Sequence, residues 1–71
     1  MALNTNAQAI HDYIVSRNLA SIEENLNYDG SINWSFVEAD VVLDHADETN
    51  HVPFYVCYDD IDAALNVLAN S

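Results

Sequence analysis

Only one position in this chain has the backbone freedom of glycine, and it stands at Asp29-Gly30, between two segments in which apolar and polar residues alternate. Glycine enters positive φ without a Cβ penalty, and Asp-Gly is a preferred pair for the tight turn that matches strand twist. Ile22, Leu26 and Tyr28 share one strand face before it, and Ile32, Trp34 and Phe36 share one after it. The pattern predicts a β-hairpin. The one proline, Pro53, lies near the start of a β-branched and aromatic segment over residues 52–58. A proline there suits an edge strand.

The remaining elements follow from spacing. A first helix is predicted over residues 6–17, with Ile10, Tyr13, Ile14 and Arg17 at i, i+3, i+4, i+7 and Ala7 extending the stripe. Asn4 or Thr5 supplies its N-cap and Asn18 a left-handed stop. Residues 19–28 fit two descriptions. Ser21-Ile-Glu-Glu24 has the form of a capping box, yet the following Asp29-Gly30 weights the choice toward a strand ending at Tyr28. The second strand starts at Ser31. After Phe36 the apolar phase moves by one residue, to Val37, Ala39, Val41 and Leu43, as it does at a β-bulge or at a break between two short strands. Residues 44–51 form a polar turn, 52–58 the third strand, and 60–69 a helix capped by Asp59, with Ile61, Ala64, Leu65 and Leu68 on one stripe. The expected fold is one α+β domain over residues 1–71, ordered α-β-β-β-α, with an antiparallel three-stranded meander and both helices on one face. Trp34, Phe36, Phe54 and Tyr58 are expected in its core, Tyr55 outside it, and Cys57 as a small buried residue.

Charge is the other constraint. Twelve Asp and Glu face one Arg and no Lys, a formal net charge of −11 over 71 residues. An average domain of this size carries roughly nine charges of each sign, so the departure lies mainly in the missing bases. Direct binding of nucleic acid through phosphate contacts is excluded, and so is a basic helix lying on a membrane surface. A single cysteine permits no internal disulfide, which suits a reducing cytoplasm. The opening Met-Ala-Leu-Asn-Thr-Asn has neither the basic start nor the long apolar run of a signal peptide, and the expected location is the cytoplasm.

On the expected second strand Glu38 and Asp40 share a face about 7 Å apart, a separation similar to that of neighbouring phosphates along one DNA strand. Asp44 continues the row, Asp47 and Glu48 extend it from the turn, and Glu23, Glu24 and Asp29 rim it from the paired strand. Magnitude tests the idea. The surface expected at this mass is about 4,400 Å², or one net charge per roughly 400 Å², against roughly one per 100 Å² on duplex DNA. Spread evenly, these acids would do no more than keep the protein soluble. Gathered on a quarter to a third of the surface, they would match a phosphate backbone.

Two further constellations stand out in the sequence. His45, Asp47 and His51, with Asp44 and Glu48 beside them, are residue types that bind zinc and other divalent metals. No cysteine pair supports them and their order is not that of an EF-hand loop, so an exposed polar turn accounts for them. Catalysis has little support: His11 and Asp12 are adjacent on a helix and do not face each other, and Ser31, Ser35, His45 and Asp40 come without a nucleophile elbow. No enzyme activity and no cofactor are expected.

Small size, acidity and the lack of cations together resemble the phage-encoded inhibitors that mimic nucleic acid, among them anti-restriction, anti-CRISPR and nuclease- or repair-inhibitor proteins. The resemblance is one of overall character, without a shared motif. It implies a stoichiometric binder in the host cytoplasm that occupies the basic channel of a host nucleic-acid-binding protein, steered by charge and weakened by salt. Two other classes fit the same residues. One is a small structural or interaction module, such as a homodimer paired through an exposed strand edge, acidic for solubility alone. The other is a divalent-metal protein using His45 and His51.

Overall fold

The computed structural model describes residues 3–71 and contains three α-helices, α1 (Thr5–Ser16), α2 (Trp34–Ala46) and α3 (Tyr58–Ala69), with a 3₁₀ turn at Glu23–Asn25. Met1 and Ala2, the start of the stretch read for a targeting signal, lie outside the described residues. No strand forms among the described residues, so the fold is all-α and the three-stranded meander is not made. None of the described helices is long and apolar enough to cross a membrane.

The outer helices follow their stripes. Asn4 caps α1, its Oδ1 accepting from the Ala7 amide at 2.8 Å. Ala7, Ile10, Tyr13 and Ile14 are buried on one side. The helix stops where Asn18 turns left-handed at φ 56°, and the Leu19 amide donates back to the Ile14 carbonyl at 3.0 Å. Helix α3 buries Ile61, Ala64 and Leu65 and packs against α1 as the principal pair. It starts earlier than expected. Cys57 occupies the N-cap without a side-chain bond, and Asp59 lies inside the first turn instead of capping it.

The middle of the chain departs from expectation, although the turn at Asp29-Gly30 forms. Gly30 sits at φ +89°, its amide donates to the Asn27 carbonyl at 2.9 Å, and the Asn27 amide donates to the Ser31 carbonyl at 2.7 Å. The arms stop after one antiparallel bridge, Leu26 to Ile32. Upstream the chain coils into the 3₁₀ turn instead of a strand. Downstream, Asn33 accepts from the Phe36 amide at 3.3 Å and α2 begins. The apparent phase shift after Phe36 has a simpler origin than a bulge: Trp34, Val37 and Val41 fall at i, i+3, i+7, and one helix face takes all three toward the core.

Residues 52–57 bend at Pro53 and Phe54 and pair with no strand among the described residues, and Tyr58 already belongs to α3. The Asn6 side chain stands in for one. Its Nδ2 donates to the Tyr55 carbonyl at 3.0 Å and its Oδ1 accepts from the Tyr55 amide at 3.0 Å. Phe54 plugs the core beside Tyr13, with ring centroids 5.3 Å apart in an edge-to-face arrangement. Tyr55 points out, as expected. Phe36 and Tyr58, expected in the core, are exposed because a helical period turns them to the outside; Trp34 and Cys57 are half-buried. With no sheet to cover, the helices pack on one another in a flattened body of 33 × 32 × 19 Å. Its thickness is about two helix diameters. The radius of gyration, 11.6 Å, is near the roughly 11 Å of a compact chain of this length.

Candidate functional site

Helix geometry rearranges the predicted carboxylate row. Residues two apart on a helix lie about 200° apart around its axis, so Glu38 and Asp40 leave opposite flanks of α2 instead of sharing one face. Asp40 and Asp44, at i and i+4, remain together, and Asp47 follows at the C-cap of the same flank. Glu38 goes to the other flank, where it borders a shallow groove with Trp34 of α2 and Asp62 and Leu65 of α3.

Asn25 ties the 3₁₀ turn to the first flank. Its Nδ2 donates to the Asp40 carboxylate at 2.6 Å and to the Leu19 carbonyl at 2.8 Å. The exposed Glu23 and Glu24, two and one residues before it, belong to the same turn, which packs against α2. One turn along α2, Asp44 accepts from the Tyr13 hydroxyl at 2.6 Å, and that oxygen accepts from Asn50 at 3.2 Å. Burial, and next the bond to Asp44, raise the Tyr13 pKa above its ordinary value. Asp47 accepts from the Thr49 amide and hydroxyl at 2.9 and 2.7 Å, and these bonds hold its pKa below the usual carboxylate range. Glu48 is exposed beside it. Asp29 stands apart at the tip of its own turn, where the Ser31 hydroxyl and amide lower its pKa.

A common rule runs through these contacts. Six of the twelve carboxylates, Asp12, Asp29, Asp40, Asp44, Asp47 and Asp60, accept from neutral side chains: Gln8, Ser31, Asn25, Tyr13, Thr49, and the pair Asn4 and Asn6. Asp60 is the most enclosed, taking Asn4 at 2.7 Å and Asn6 at 2.9 Å, and these bonds lower its pKa. Asp12 also meets His11 at 3.0 Å, the leading cause of its lowered pKa, with Gln8 next. Arg17, the single arginine, lies over the Tyr13 ring, 5.3 Å from its centroid, and pairs with no carboxylate among the described residues. The acids are hydrogen-bonded without being neutralised.

Sequence reasoning missed the donors. The nine asparagines of the chain suggested local backbone caps, and Asn4, Asn6 and Asn25 instead reach carboxylates. The signal that pointed there was abundant asparagine in a chain that has many acids and almost no bases.

The metal constellation is not assembled. Among the described residues no three His, Cys, Asp or Glu converge to hold an ion. His45 tilts over Phe54 at 6.1 Å between ring centroids, Asp47 is engaged with Thr49, and His51 borders a depression with Asp12 and Arg17 of the α1 side. A homodimer paired through a strand edge also lacks its element, since no strand is present among the described residues. Comparison with protein families, with curated proteins and with solved structures finds no match to this chain.

Proposed function

We propose that the protein is an acidic, stoichiometric binder of a basic nucleic-acid-binding host protein, which it inhibits by occupying the channel meant for nucleic acid, in the manner of anti-restriction and anti-CRISPR inhibitors. The observation that carries this reading is the flank built from Glu23 and Glu24, Asp40, Asp44, Asp47 and Glu48. Half of the twelve acids belong to it, and its bonded members are held by Asn25, Tyr13 and Thr49, none of which cancels charge. Over the whole surface of 4740 Å² the net charge is dilute, on the order of one per 400 Å². Six acids along one flank support the mimicry because together they raise the local field where a partner would meet it. A lysine in the row would lower that field, which gives the missing bases a reason.

The test must spare the fold. Asp40 and Asp44 bond to Asn25 and Tyr13, so reversing them confounds binding with folding. Glu23, Glu24 and Glu48 are exposed and bond to nothing in the core. Capture from a bacterial lysate at low and high salt, followed by displacement of duplex DNA from each captured protein, reads the function directly. The expected result is capture lost at high salt, DNA released by the wild type, and no release by the Glu23→Lys/Glu24→Lys/Glu48→Lys protein. Captured proteins that bind no nucleic acid, or full release by the triple variant, would sink the proposal.

A further inference from the structure

The back of α2 differs from its flanks. A surface helix ordinarily turns charged side chains to solvent. Here Phe36, Ala39 and Leu43, at i, i+3, i+7, face outward, with Phe36 51% and Leu43 64% exposed. Tyr58 at the start of α3, 57% exposed, lines a shallow groove with Ala39, Val42 and Leu43. Glu38 borders that groove and also the adjoining one that it shares with Asp62. Asp40 and Asp44 run along the opposite side, each about 100° around the helix from its chain neighbour on the strip, Ala39 and Leu43 respectively. An apolar strip therefore lies between two anionic borders.

We propose that this strip seats an amphipathic helix of a basic partner, its apolar ridge on Phe36, Leu43 and Tyr58 and its Lys or Arg side chains on both shoulders against Glu38 and Asp62 on one side and Asp40 and Asp44 on the other. This rests on the reading of a basic partner given above and names the contact that partner makes. Charge complementarity selects the occupant. A second copy of this chain would bring another net charge of −11 and set like borders against each other. A basic amphipathic helix meets both features at once, because Lys and Arg lay their aliphatic stems along apolar surface while their heads reach carboxylates. Apolar anchors at the centre with charges at the rim is also the arrangement in which the anchors supply affinity and the charges supply rate and register. Imitation of phosphate alone gives no reason to turn Phe36 and Leu43 outward.

Two amidated peptides of about 15 residues, long enough to form a helix on a surface, test this against the full chain by calorimetry at low salt. One carries Leu on a single helical stripe with Lys on both sides; the other has Ser in place of each Leu. The expected result is binding of the Leu–Lys peptide about tenfold tighter or more, the worth of roughly one buried leucine. Phe36→Ser/Leu43→Ser removes that difference, and Glu38→Gln/Asp62→Asn weakens both peptides. Because Phe36, Leu43 and Asp62 are exposed and Glu38 is only half-buried, circular dichroism should be unchanged; if the Phe36→Ser/Leu43→Ser variant fails to fold, Leu43→Ser alone decides. Equal binding of the two peptides, or equal binding by wild type and Leu43→Ser, overturns the docking site and leaves the charge-based function standing. Failure of both peptides to bind removes the basic partner as well. A wild-type dimer in sedimentation that Leu43→Ser dissociates overturns the proposal in favour of a second copy.

Discussion

Asn6 and Tyr55 are bonded as if they belonged to neighbouring β-strands, although one is a side-chain amide at the start of a helix and the other a backbone in an unpaired segment. Both Asn6–Tyr55 bonds are 3.0 Å, and the Asn6 Nδ2 also reaches Asp60 at 2.9 Å. Asn6 is buried, so the alanine variant leaves enclosed polar groups without partners. Asn6→Ala is expected to cost about 2–3 kcal/mol and to lower Tm by roughly 10–20 °C in a domain of this size. Thermal denaturation followed by circular dichroism checks it. A change within a degree or two would show that the segment is held by its apolar contacts, Val52, Phe54 and Val56, without help from Asn6.

Asp60 makes the fold sensitive to acid. Its folded pKa is lowered, chiefly by Asn4 and then Asn6, so the folded state binds fewer protons than the unfolded chain. That contribution is fully present above the ordinary aspartate value of about 3.9 and is lost as pH falls through the lowered folded value. Asp12, Asp29 and Asp47 act in the same direction. Denaturant titrations from pH 6 to pH 2 should show stability declining below about pH 4, with a shallower decline in Asp60→Asn. Parallel curves for the two proteins would remove Asp60 as a cause.

Salt should strengthen this fold. Most bonds that hold its carboxylates are to neutral donors, and the single ion pair among the described residues, His11 to Asp12, is at the surface. Screening therefore removes repulsion among the acids and has little attraction to weaken. Tm is expected to rise steadily between roughly 0.01 and 1 M sodium chloride, a range over which the screening length shrinks about tenfold. A fall in Tm over that range would reveal ion pairs that carry the structure.

Among the described residues two hold left-handed backbone. Gly30 at φ +89° has open space where a Cβ would stand, so Gly30→Ala meets backbone strain but no clash. It should cost about 1–2 kcal/mol. Asn18 at φ 56° is tolerated there as asparagine often is, and Asn18→Gly should be neutral within about 0.5 kcal/mol. Urea denaturation of the two variants separates these outcomes. An unaffected Gly30→Ala would mean that the turn relaxes out of the left-handed region.

The two end helices were legible because each carries a large-residue stripe at three and four, Ile10, Tyr13 and Ile14 in one and Ile61, Leu65 and Leu68 in the other, with Asn4 and Asn18 marking the ends of α1. The middle was not. Between Ile32 and Leu43 apolar residues are so dense that a period of two and a period of 3.6 both find them, and Val37, Val41 and Val42 favour strands by propensity. A turn was rightly expected at Asp29-Gly30, but a turn does not oblige its arms to be strands. The same confusion of period moved the site: Glu38 and Asp40 share a face in a strand and part on a helix, while Asp40 and Asp44, four apart, share one in both. Substitution of a strand by the Asn6 amide left no periodic trace at all.

A body 19 Å thick with faces of 33 × 32 Å has little inside to reach. Each broad face is on the order of 1,000 Å², comparable with the roughly 800 Å² that one partner contributes to a standard interface. A single occupant of ordinary size would cover one side of the molecule edge to edge. The valency of such a plate is then at most two, one partner for each face, and any second molecule competing for an occupied face must displace the first instead of binding beside it.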